Sequence, residues 1–187
     1  MKKILFLAAI IALSTQSFAQ SEAEMQKWME YATPGDMHKM LAKYNGRWTA
    51  STKMWMAPGQ PPMESTAEVT TDMHMGDRYQ KSSYSGDFGG MPFNGESITG
   101  YDNTRKVFTN TWIDNMGTGI MYSEGTWNAA TKSVELKGTA TDPMAGKAMP
   151  FREVMTFNSD DSYKMEMYNI MDGNEYKSME ITFTRKK

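Results

Sequence analysis

The 187-residue sequence contains no cysteine. Disulfides, thiol nucleophiles and thiolate metal sites are therefore excluded, and packing alone must hold the fold in an oxidising compartment. Histidine is scarce too, with His38 and His74 the only two. Neither sits in a Ser and Asp pattern that would suggest a nucleophilic triad, so no catalytic residues are expected and a non-enzymatic role follows. Strong charge of one sign is also missing. Setting aside Lys2 and Lys3, 18 basic residues stand against 22 acidic ones. That net charge of −4 argues against nucleic acid or an anionic membrane surface as partner. Heptads, nucleotide loops and low-complexity tracts are absent.

The one long apolar run is at the start. Met1-Lys2-Lys3 is a basic n-region, Ile4 to Leu13 an apolar h-region, and Ser17-Phe18-Ala19 a small-x-small cleavage site. This is the pattern of a secretory signal peptide, too short to anchor in a membrane. Cleavage after Ala19 leaves 168 residues, enough for one domain with a sizeable core. No Cys follows the h-region, so no lipid anchor is expected. The product should be a periplasmic or secreted protein with no integral membrane segment after cleavage.

Methionine is abundant. Of 20 Met, 19 lie beyond Met1, where Leu and Ile are scarce. Met packs as a soft, adaptable substitute for both.

Three segments are expected: the signal peptide at 1–19, a helical cap at 20–45 and an all-β domain at 46–187. Ser21-Glu22-Ala23-Glu24 reads as a capping box opening a helix that runs to about Tyr31. Thr33-Pro34-Gly35-Asp36 offers a second N-cap with Pro at the first helical position. Met37, Met40, Leu41 and Tyr44 then share one helical face. From Trp48 the period becomes two. Strands are predicted over 48–56, 63–74, 78–85, 91–101, 105–114, 118–127, 132–141, 147–158, 162–170 and 175–185. Gly86-Asp87-Phe88-Gly89-Gly90 reads as a mobile loop, and Asp172-Gly173 as a hairpin turn. Short connections force antiparallel neighbours, and a long meander best hides its edges by closing. The expectation is an antiparallel up-and-down β-barrel of about ten strands behind a short helical N-terminal segment. A two-sheet sandwich is less favoured because no long crossover is visible.

Gly46-Arg47-Trp48, entering the first strand just behind a short helix, resembles the opening of the lipocalin-related (calycin) barrels. In those, the Trp typically plugs the closed end. The run Thr111-Trp112-Ile113-Asp114-Asn115-Met116-Gly117-Thr118-Gly119, with Met54-Trp55 and Pro150-Phe151-Arg152-Glu153, is similar to a bacterial secreted family. That family is catalogued only as a domain of unknown function (the fifteen-seventy-nine family). The resemblance spans about Met37 to Arg185 and implies a calycin-like barrel, with no catalytic residues to transfer. A remoter likeness is to the nitrobindin type of haem barrel, which uses a late His as axial ligand. Here both His are early, so no cofactor is expected.

A barrel of this size encloses packed side chains or one small ligand. Strand parity places Met149, Phe151, Glu153, Met155 and Phe157 on one face. Tyr163, Met165 and Met167 share another, as do Phe108, Trp112 and Asp114. A carboxylate among apolar neighbours is costly unless paired. Glu153 and Asp114 could therefore orient the polar end of a small apolar or amphipathic ligand. The candidate lining is Glu153, Asp114, Trp112, Phe151, Met155, Met165 and Met167. The competing reading is an internal ion pair with Arg152, Arg105 or Arg78, of which Arg152 is the poorest because alternation turns it to the opposite face. Trp28, Tyr31, Tyr44 and Trp55 could form a portal, or simply staple helix to sheet. Met73-His74-Met75 has the ligand types of a Cu(I) site, but alternation splits the triplet across the sheet. No metal site is expected.

Overall fold

The computed structural model describes residues 21–171 and 173–187. The residues assigned to the signal peptide, and Asp172 of the last hairpin, lie outside that set. Compact packing divides the chain at Thr33/Pro34.

The first unit carries helix α1 over residues 21–32. Ser21 is itself helical, so it does not cap the start as the capping-box reading expects. Inside α1, Trp28 and Tyr31 meet edge to face with centroids 5.9 Å apart. Thr33 is not the N-cap of the next helix either, that position falling to Gly35, and its hydroxyl donates back to the Met29 carbonyl at 2.6 Å.

The second unit opens with helix α2, Asp36–Ala42, whose N-cap is Gly35. The Gly35 N–H donates to His38 Nδ1 at 3.0 Å, a side chain reaching back from the third helical position to an otherwise orphaned donor. Ten strands follow: β1 Gly46–Met54, β2 Met63–His74, β3 Tyr79–Phe88, β4 Met91–Asp102, β5 Val107–Asp114, β6 Met121–Asn128, β7 Ser133–Asp142, β8 Lys147–Ser159, β9 Ser162–Met171 and β10 Asn174–Arg185. Each pairs antiparallel with its sequence neighbours, and β1 pairs with β10 to close the barrel. The fold is the expected up-and-down barrel. No helix among the described residues is long and apolar enough to cross a membrane.

The largest departure from the sequence reading is at 86–90. Gly86 and Asp87 stay in the ladder opposite Ala67 and Thr66, and only Gly89-Gly90 turns, at φ 62° and 86°. Two successive left-handed residues make a tight hairpin whose twist matches the strands. Gly86 is there because a Cβ would come within 2.6 Å of the Thr66 carbonyl oxygen, not because the chain is loose.

Alternation sets the interior. Trp48, Val69, Phe108, Val134, Leu136, Phe157, Tyr163 and Phe183 point inward and join Leu41 and Tyr44 in one buried cluster. These residues crowd the end of the barrel under α2, which packs on β2, β3 and β4. Gln80 ties α2 to the wall by donating to the Leu41 carbonyl at 2.6 Å. Trp48, fully buried, donates from its indole N–H to the Tyr44 carbonyl at 3.0 Å. The Arg185 guanidinium lies 4.2 Å from the Trp48 ring centre. It also donates to the carbonyls of Lys43, Asn45 and Asp160 at 2.7–3.0 Å. One planar fork thus joins the last strand to the first, to the chain leaving α2 and to the β8–β9 turn.

An ammonium cannot reproduce that fan of donors or stack flat on indole. Arg185→Lys is therefore expected to lower unfolding free energy by about 2 kcal/mol, read as a lower urea midpoint with unchanged slope. Arg105→Lys, on an exposed pair with Glu124, is the control and should leave the midpoint in place.

Candidate functional site

The site lies on the inner wall where the aromatic packing stops. Along β8, inward positions run Phe157, Met155, Glu153, Phe151 and Met149 from the plugged end towards the other mouth. Glu153 sits opposite Leu136 of β7 and Met167 of β9. The same level continues across the wall as Met167 opposite Met179, Met179 opposite Met54, and Met54 opposite Met63. A β-bulge at 177–179 brings Met179, instead of Ser178, against Met167. The extra residue is put to use: the Ser178 hydroxyl bonds the Met167 carbonyl and Asn169 Oδ1. The result is a row of thioethers beside one carboxyl.

Glu153 is 9% exposed. Among the described residues it makes no hydrogen bond and no ion pair, and burial pushes its carboxyl from the ordinary 4.5 up to about 7. The three arginines weighed as partners are occupied elsewhere. Arg152 points out of the barrel, forks onto Glu175 at 2.7–3.2 Å and stacks 4.2 Å from the Tyr168 ring centre. Arg105 holds Glu124, and Arg78 donates to the Met75 and Gly76 carbonyls. Tyr84 of β3 is near enough for the Glu153 charge to raise the phenol further above its ordinary range, burial being the larger cause. Strand alternation alone did not single out Tyr84; its place opposite inward Val69 marks it once the β2–β3 register is known.

Asp114 has a different role. Its Oδ2 accepts the Trp112 indole N–H at 2.6 Å and its Oδ1 the Met116 N–H at 2.9 Å. Asn115 next to it accepts from the Asn94 N–H and donates to the Pro92 carbonyl. The Trp112-Ile113-Asp114-Asn115 run is thus a clamp on the β4–β5 edge, with the Trp112 ring laid where a Cβ on Gly95 would come within 2.5 Å. Asp114 and Glu153 both face inward but stand on strands three apart in the barrel order. Of the other candidates, Met155 and Met165 pack against the aromatic cluster, and Phe151 is buried beside Gly138. Met167 remains next to Glu153.

The suggested portal does not assemble. Tyr44 is in the plugged core, stacked near Trp48 and Phe157, whereas Trp55 follows the far end of β1 and bonds the Ser178 carbonyl. At Met73-His74-Met75, Met73 is half-buried and His74 exposed as alternation requires, but Met75 lies beyond β2 at φ 52° and is exposed, so it does not share a side with Met73. Beyond the site level, inward Met54, Ala67, Phe93, Met121, Ala140, Met149 and Asn169 are only half-buried. None of these belongs to the buried cluster at the end capped by Trp48. Two open concavities, of about 290 and 610 Å³, lie on the outer wall across β10–β1–β2 and β2–β5.

This geometry defines a closed ten-stranded barrel, plugged with aromatic rings at one end and carrying an unpaired carboxyl inside. The chain belongs to the family described as protein of unknown function DUF1579, whose model matches residues 33–185. The crystal structure of Rv2717c from M. tuberculosis is similar in fold, with TM-score 0.62 over 83% of this chain and 100% of that one at 12% identity. A redesigned β-barrel also matches at 12% identity, over 82% of this chain and all of its own, with TM-score 0.43. No curated protein matches the sequence.

The raised carboxyl has a stability consequence. Between pH 4.5 and 7 the folded state keeps a proton on Glu153 that the unfolded chain releases, so this group costs stability as pH rises through that window and levels off above it. The loss is on the order of 3 kcal/mol. Glu153→Gln should remove it, leaving the variant more stable than the parent at pH 8 and close to it at pH 5, by urea melts across pH. His38, whose pKa burial lowers, contributes a slope of opposite sign that cancels in the comparison.

Proposed function

We propose that this chain is an exported, non-catalytic binding protein that holds a small apolar or amphipathic molecule in the unplugged half of its barrel, with the ligand's polar end at Glu153. The observation that carries the reading is the carboxyl itself: inward, nine-tenths buried and unpartnered among the described residues. A buried acid with no partner costs free energy, and Gln or Leu would pack there at less expense. A ligand that supplies the missing partner accounts for its presence. The thioether row of Met54, Met167 and Met179 offers an apolar wall that adapts to different shapes. The signal-peptide pattern of residues 1–19 supports export, and the net charge of the remainder gives nucleic acid no footing.

A second reading, a barrel that works through its outer surface, is favoured by the 610 Å³ groove lined by Glu68, Thr70, Ser83, Glu96, Ile113 and Asn115.

Native mass spectrometry on protein taken from its own host's exported fraction separates the two. Interior binding predicts an added small mass that leaves on denaturation and is diminished in Glu153→Gln. A bare mass, with no heat on titrating a ten-carbon alcohol into the protein, would overturn it in favour of the outer surface.

A further inference from the structure

Resting on that reading, we infer that the interior site is built for a cationic amphiphile, an aliphatic amine or ammonium whose charged head pairs with Glu153 and whose tail lies along the methionine wall. The argument is from the sign and availability of the charges on the inner face. Three acidic residues have inward parity on β5, β7 and β8: Asp114, Asp142 and Glu153. Asp114 is already engaged by Trp112 and Met116, and Asp142 caps its own turn by accepting from the Met144 and Ala145 N–H groups. Of the three, Glu153 alone has no hydrogen-bond or ion-pair partner among the described residues. Two basic residues share the inward parity. Arg185 is held on Trp48 and three carbonyls at the plugged end. Lys147 is exposed at the β7–β8 turn, opposite Asp142. At the level of Glu153 an anionic head group would thus meet no cation, since the exposed Lys147 lies six residues along β8 at the rim, whereas a cation meets the carboxyl directly.

The groups facing Glu153 strengthen the choice. Leu136 from β7 and Met167 from β9 flank it and do not titrate. Tyr84 from β3, held well above its ordinary pKa by burial, stays neutral, and its hydroxyl is hydrogen-bonded to Ser97. Its ring meets Trp112 edge to face, with centroids 5.0 Å apart. The cation also resolves the cost of the site, since a buried acid next to a fixed positive charge ionises readily.

The test compares ten-carbon ligands that differ only in their heads: decylamine, decanol and decanoic acid, each titrated calorimetrically into the mature protein below its aggregation concentration. Decylamine stays protonated below about pH 9, so its affinity should follow ionisation of Glu153 and rise about tenfold from pH 6 to pH 8. Decanol should bind more weakly and without that trend. Glu153→Gln should weaken decylamine at least tenfold at pH 8 and leave decanol unchanged. Decylamine binding no better than decanol would overturn the inference while leaving interior binding intact. So would decanoic acid binding best and tightening as pH falls, the sign expected if protonated Glu153 donates to it. If none of the three binds at any pH, the binding reading falls with it. The head-group comparison uses the parent protein alone, so it stands even if Glu153→Gln folds poorly.

Discussion

The contact on which the structure depends is the Arg185 guanidinium over the Trp48 ring. A meander of ten strands has two edges, and unless they meet, both offer unpaired backbone to other chains. Here the first and last strands meet along seven residue pairs, enough to form a continuous ladder. Arg185 locks its end by spending its donors on carbonyls from Lys43, Asn45 and Asp160. A chain without cysteine has no covalent alternative. Closure also fixes the barrel's polarity: Trp48, Tyr44, Phe157, Tyr163 and Phe183 stack beneath α2, with the Tyr163 and Phe183 rings parallel at 4.2 Å.

Once one end is filled this tightly, a polar group further along the interior stands out. Most of those near it are answered: Thr71 meets Ser82 at 2.8 Å, Thr99 meets Asn110 at 3.0 Å, and Asn169 takes bonds from Ser178 and gives one to Tyr176. Glu153 is the exception among the buried charged side chains of the described wall. The contrast with Arg152, one residue earlier on the same strand, is instructive. Outside the barrel Arg152 has a bidentate carboxylate and an aromatic ring to lie on, while its inward neighbour has burial and no partner. Stability alone does not favour that arrangement.

Much of this was legible beforehand. Period-two alternation located all ten strands and grouped the inward residues of β5, β8 and β9, because a one-residue slip would turn every Trp, Phe and Met of a strand to water. Gly46 and Trp48 marked the plugged end, and the same alternation separated Arg152 from Glu153. What escaped the sequence was set by contacts between distant segments. Thr33 resembles an N-cap, but its hydroxyl bonds back to Met29. The glycines at 86–90 resemble a flexible loop, yet Gly86 answers to the backbone of β2. Asp114 and Glu153 looked alike as inward acids. The Trp112 indole and the turn that delivers the Met116 N–H serve one of them and not the other, and that tells them apart. Tyr84 needed the register of β2 on β3, which no local pattern encodes.

The central claim is that Glu153 is a buried, unpaired acid inside the barrel. Titrating the protein with its glutamate side-chain carboxyls labelled with carbon-13, and following each resonance by NMR, tests it directly. One glutamate should change ionisation near pH 7, far from the rest, and that resonance should vanish in Glu153→Gln. If every glutamate instead titrates in the ordinary carboxylate range, Glu153 is hydrated or paired in solution, and the account of the interior site is wrong.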